Sequence, residues 1–121
     1  MQTMLCKREE KVDLFTLRRL EKILDGYIAA KVPRDVRSAV RLTYEFERNR
    51  LTLFEERPDY PKREWKRIAL VQFYLEAGMW SVYAKSSGGE WFLVDTILPD
   101  PDFERQLEQV EIDQDGLFWI S

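Results

Sequence analysis

Residues 38–58 read SAVRLTYEFERNRLTLFEERP, and the phasing of this stretch decides the fold. Val40, Leu42, Tyr44 and Phe46 alternate with Arg41, Thr43, Glu45 and Glu47, the period of two expected of a strand with one buried face. Arg48-Asn49 supplies a tight turn, asparagine being tolerant of positive φ, and Leu51, Thr52, Leu53 and Phe54 begin a second strand that runs to Pro58. A lone hairpin is marginal in water, so the flanking chain must extend and cover it.

Beyond the hairpin, Asp59 to Lys66 is polar, contains Pro61 and reads as a loop. Ile68–Leu75, Met79–Lys85 and Glu90–Leu98 are strand-like and are joined by Ala77-Gly78 and Gly88-Gly89. Before the hairpin, Asp13 is a candidate N-cap, and Leu17, Leu20, Leu24, Tyr27 and Ile28 recur at helical spacing. That predicts a helix over 13–31, ended by Pro33. After the strands, Asp100-Pro101 stands as cap and first residue of a short helix through Phe103, Leu107 and Val110, and Leu117–Ile120 closes the chain as a strand. The expectation is an α+β fold: a long amphipathic helix, an antiparallel five-stranded β-meander, a short helix and a terminal strand. Residues 1–12 read as a flexible leader and 13–121 as a single domain.

Composition bounds the chemistry. The chain has 121 residues, 45% hydrophobic and 34% charged, with one cysteine, Cys6, and no histidine. Ser-His and Cys-His catalytic pairs, a histidine-ligated metal and an internal disulfide are therefore excluded. No apolar run approaches the length of a membrane span, and one thiol fits a reducing compartment, so a cytoplasmic setting is expected. The net charge of −3 is divided unevenly, +4 over residues 1–50 and −7 over 51–121.

The third and fifth strands read as apolar on both faces, Leu70 and Tyr74 opposing Val71 and Phe73, and Trp91 and Leu93 opposing Phe92 and Val94. Five strands span about 24 Å, whereas one helix is about 10 Å across. With two helices and a terminal strand as cover, either each face receives one helix or one face is left for a partner, and a twofold dimer or a protein partner on the uncovered face or edge is the expected remedy.

The order of landmarks from Pro33 to Ile120 resembles the bacterial family catalogued as domain of unknown function 3024. The resemblance rests on the leading amphipathic helix, Leu42 and Tyr44, the run Leu53-Phe54-Glu55-Glu56-Arg57-Pro58, the spacing of Trp80, Tyr83 and Trp91, and the ending Val110, Asp113, Gly116, Phe118 and Trp119. Where basic residues and a histidine are expected of that family in the last hairpin strands, this chain has Leu70, Gln72, Ser81, Ser86, Ser87, Glu90 and Phe92. The resemblance implies a fold type and a bacterial cytoplasmic setting, and no activity.

Three constellations merit weighing. Glu55 shares a strand face with Leu51 and Leu53, so its carboxylate needs a partner, Arg57 or Arg41. Such a group is either a structural ion pair or an acid-base residue. The loop holding Tyr60, Lys62, Arg63, Trp65, Lys66 and Arg67 interleaves cations with aromatics, as single-stranded nucleic acid would require, and Arg18, Arg19, Lys22, Arg34 and Arg37 could extend it. Its competing reading is a solvated loop. Glu111, Asp113, Asp115 and Gly116 resemble the start of a calcium loop, but the bidentate glutamate at the twelfth position would fall at residue 122, beyond Ser121. Trp65, Trp80, Trp91 and Trp119 with Tyr83 read as core aromatics. No phosphate loop, cofactor motif or metal set is present. The expected function is a non-catalytic binding module acting on a protein partner or itself, with nucleic-acid binding through 60–67 and the first helix as the alternative.

Overall fold

The computed structural model describes residues 12–36, 39–60 and 62–119. The leader before Val12, Arg37, Ser38, Pro61 and Ile120 thus lie outside the described residues. Helix α1 (Leu14–Lys31) opens as its sequence predicts: Asp13 accepts a bond from the Thr16 backbone N–H at 2.7 Å, and the helix ends at Val32 before Pro33. A single 3₁₀ turn, Arg34–Val36, leads toward the sheet. Five strands follow in chain order, each antiparallel to the next: β1 (Arg41–Glu47), β2 (Arg50–Asp59), β3 (Glu64–Glu76), β4 (Met79–Lys85) and β5 (Trp91–Leu93). Helix α2 (Phe103–Ile112) completes the α+β architecture.

Several boundaries differ from those expected. In the first hairpin Arg48, not Asn49, takes the positive φ of 61°. The Asn49 amide instead donates to the Leu75 carbonyl at 2.8 Å while the Asn49 carbonyl accepts from Leu75 N–H at 2.9 Å, tying the hairpin to β3. The segment 59–66 is not one loop. β2 and β3 stay paired to Asp59↔Glu64, so Trp65, Lys66 and Arg67 belong to a strand. Proline is tolerated there because β1 ends at Arg41 opposite Glu56, which makes Pro58 an edge position. β5 stops at Leu93; the chain then turns and returns to bridge Trp80 through Asp100, with bonds of 2.8 and 3.2 Å.

Helix α2 starts two residues later than predicted, with Asp102 as its cap; the Asp100 carboxylate accepts from Asp102 N–H at 2.7 Å. No terminal strand forms over 117–119. Asp113, the left-handed C-cap of α2 at φ 47°, accepts the backbone N–H groups of Leu117, Phe118 and Trp119 at 2.6, 3.2 and 3.0 Å. Donors bound by a carboxylate are not free for a ladder.

Both helices lie on one face of the sheet. Phe103 of α2 packs edge-on against Phe73 and Trp80 at ring distances of 4.9 and 5.2 Å. Tyr44 on the same face donates its hydroxyl to Asp25 of α1 at 2.9 Å. Between these layers are buried Leu20, Leu24, Leu42, Leu51, Leu53, Val71, Phe73, Trp80, Val82, Leu107 and Val110. Gln106, 1% exposed, donates to the Trp80 and Leu98 carbonyls at 2.8 and 2.9 Å, fastening the 94–102 connection beneath α2. Of the aromatics expected in the core, Trp80 is buried, but Tyr83 and Trp91 are only half-buried and Trp65 is 37% exposed, because their strands turn them to the other face.

Candidate interaction face

Rows of directly opposed residues run across the sheet face that neither helix covers. The first is Arg41–Glu56–Arg67, the second Thr43–Phe54–Ala69, the third Glu45–Thr52–Gln72–Tyr83–Leu93, and the fourth Glu47–Arg50–Tyr74–Ser81. Opposed side chains on one face approach closely enough to interact, so the register itself builds a network. Glu56, 15% exposed at its side chain, accepts from Arg41 at 2.9 Å and from the Thr43 hydroxyl at 3.2 Å, and lies 3.7 Å from Arg67. Arg67 reaches over the Phe54 ring at 3.6 Å to pair with Glu45 at 2.6 Å, and Arg41 covers the Trp65 ring at 3.6 Å. Each arginine is thus held between an aromatic face and a carboxylate.

The other half of the face is milder. Arg50 donates to the Tyr74 hydroxyl at 3.2 Å and pairs with Glu47, two contacts that favour its charged form. Tyr74 and Tyr83 meet edge-to-face at 5.1 Å, Gln72 donates to Thr52 at 3.2 Å, and Lys85 sits 5.7 Å from the Trp91 ring.

The residues singled out from the sequence are dispersed by this geometry. Glu55 lies on the helix-side face and pairs with Arg57 at 3.2 Å; Arg41 is on the opposite face and pairs with Glu56. The three do not form one site. Arg57 is drawn further toward its charged form by the hydrogen bond to Glu55, in an exposed setting. Of the 60–67 set, Tyr60 is 76% exposed beside the turn that holds Lys62 and Arg63, Trp65 and Arg67 join the open face, and Lys66 stands opposite Arg57 on the other. The carboxylates of the calcium-like stretch are engaged elsewhere: Glu111 with Tyr27 and Lys31, Asp113 with the backbone, Asp115 with Thr96.

Glu45 and Tyr74 are open-face residues that a reading by motif passes over, and Phe54 and Glu56 enter it only as members of a run. Their signal was the hairpin register: counting outward from the two-residue turn at 48–49 sets Arg41 opposite Glu56.

A two-layer α+β domain whose mixed-charge, aromatic-lined sheet face is left bare by the described residues is the class of protein that this geometry defines. The family model described as "Domain of unknown function (DUF3024)" matches residues 12–120, and the chain belongs to that family. No curated protein and no solved structure matches it. Among the described residues no helix is long and apolar enough to cross a membrane.

Proposed function

We propose that the protein is a non-catalytic binding module of the bacterial cytoplasm whose open sheet face takes another protein chain, a second copy or a different partner. The supporting observation is the one-sided covering of the sheet, which leaves Trp65, Met79 and Leu93 at 37, 38 and 49% exposure beside half-buried Phe54, Tyr74, Tyr83 and Trp91. An apolar patch rimmed by polar groups is the common mark of a protein contact surface.

Pairing along the β3 edge is disfavoured, since Glu64, Lys66 and Arg67 place charge there, as protected edges do. Nucleic acid is disfavoured as well. Base stacking needs a free ring and a free cation, whereas Arg41 and Arg67 already cover Trp65 and Phe54 and are neutralised by Glu56 and Glu45.

Photo-crosslinkers at Thr43, Tyr74 and Tyr83, combined with sedimentation between about 1 and 100 µM, test the proposal; at the upper limit a ~10 µM dimer is mostly assembled. Crosslinks to a protein from these three positions are the expected result. A monomer at about 100 µM with no face-specific crosslink in cells would refute it. Salt-sensitive binding to single-stranded DNA or RNA with no protein crosslink would favour the alternative.

A further inference from the structure

On the helix layer, away from the open sheet face, α1 and α2 leave a groove of about 650 Å³ between them. Ile23, Tyr27 and Leu107 form its apolar part, and Asp102, Glu104, Glu108 and Glu111 give it a carboxylate rim. A second hollow of about 260 Å³ shares Ile23, Asp102 and Glu104 with it and continues along α1 past Leu20 to Thr16. At the other end the groove is closed by Tyr27, which donates to Glu111 at 2.6 Å, and by Lys31, 3.0 Å from the same carboxylate. Burial works against the charge of Glu111, but the bonds from Tyr27 and Lys31 outweigh it and hold the group below its ordinary titration range.

Only part of this acidity serves the helix that carries it: Asp102 caps α2 and Glu104 lies in its first turn, where a carboxylate is favourable. Glu104 and Glu108 stand at i,i+4, where like charges repel, and Glu108 and Glu111 approach the negative end of the α2 dipole with no basic residue in its last turn. Of the cations beside the groove, Arg105 is turned to Asp100 at 3.7 Å, and Arg19 lines the second hollow rather than the main groove. The side chains of Glu104 and Glu108 have no hydrogen-bond or ion-pair partner among the described residues. An apolar channel between two helices whose rim is acidic at a local cost is complementary to a chain that is apolar on one side and cationic on the other.

We infer that the interhelical groove docks a basic amphipathic helix of a protein partner, its apolar residues lying on Ile23 and Leu107 and its lysines or arginines meeting Glu104 and Glu108. The site is independent of the open sheet face.

The probe is a fluorescein-labelled 14-residue amphipathic leucine-lysine peptide, about 21 Å long as a helix, followed by anisotropy. A scrambled peptide of identical composition and an all-glutamate counterpart serve as controls. Saturable binding is expected, weakened about tenfold or more by the exposed pair Glu104→Lys/Glu108→Lys, and about tenfold weaker for the scrambled peptide. Tyr83→Glu on the other face should leave it unchanged, which separates this site from the proposed sheet-face contact. The paired lysine substitutions keep helix propensity, and circular dichroism confirms folding. Equal binding by the lysine variant, equal binding of the scrambled peptide, or no binding at about 200 µM, where a ~20 µM complex would be mostly formed, would each overturn the inference.

Discussion

Replacing Gln106 by leucine tests whether the connection between β5 and α2 is held by hydrogen bonds or by packing alone. The side chain is 1% exposed and its amide nitrogen bonds two carbonyls, those of Trp80 and Leu98. Leucine is close in volume and keeps helix propensity, so neither a cavity nor a helix penalty confuses the result. Two lost bonds at about 1 kcal/mol each give about 2 kcal/mol. The larger penalty for orphaned acceptors does not apply in full: the Trp80 carbonyl retains Asp100 N–H at 3.2 Å, and Leu98 is 75% exposed, within reach of water. Allowing for the added apolar burial, the expected loss is about 1.5 kcal/mol. At the usual unfolding entropy per residue that lowers Tm by about 6 °C. Urea unfolding should show a lower midpoint at unchanged slope, and the amides of Trp80 and Asp100 should exchange faster with solvent. A variant within about 0.5 kcal/mol of the parent, with those amides equally protected, would show that the two bonds contribute nothing net.

Trp80→Ala removes a side chain 3% exposed and in contact with Phe103, and should cost about 3–5 kcal/mol in urea unfolding. Glu56→Gln should cost about 1–2 kcal/mol, because two arginines lose a partly buried carboxylate, while Glu55→Gln should cost less than about 1 kcal/mol, since its partner Arg57 is 60% exposed; the reverse order in urea unfolding would contradict the network. Burial and the bond to Asp25 push the Tyr44 hydroxyl up to about 12, and burial with the Glu111 contact raises Tyr27 further. Unfolded tyrosines ionise from 10, so this contribution to stability is full below pH 10 and declines as pH rises toward 12; Tyr44→Phe should flatten that decline in urea titrations.

The helix α1 and the first hairpin were legible because their signals are local: a cap, a period, a two-residue turn. The open-face network was half legible. Arg41, Trp65 and Arg67 were singled out as separate candidates, but the partner of Arg41 was sought in Glu55, which the register places opposite Leu42 on the helix side. The early start of β3 was hidden because Glu64, Lys66 and Arg67 are charged and Trp65 alone among them is apolar, as suits a ribbon that projects past β1 and β4 and has no core face. The apparent two-sided hydrophobicity of β3 has a different cause. Leu53 faces Val71 and Phe54 faces Ala69, so Leu70 has no opposite number, and the alternation read through it counts a residue that the ladder skips. Past that point the open face of β3 is Gln72 and Tyr74. In β5 the two-sided pattern is genuine, with Trp91 and Leu93 outward and Phe92 toward the helices.

The unpaired Leu70 also bears on how this domain tolerates change in length. Most single-residue deletions in a paired strand invert every side chain on one side of the cut. Here the two halves of β3 are already out of phase with each other and in phase with β2. Loss of Leu70 would therefore straighten the strand without moving Trp65 or Arg67 off the open face or Phe73 out of the core, and would relax the local twist that a bulge adds. Loss of Ala69 would do the same with a leucine in its place. A chain with one residue fewer between β2 and β4 can keep both surfaces, so length variation within the family is expected to concentrate at this position, in the middle of a strand, as well as in the turns.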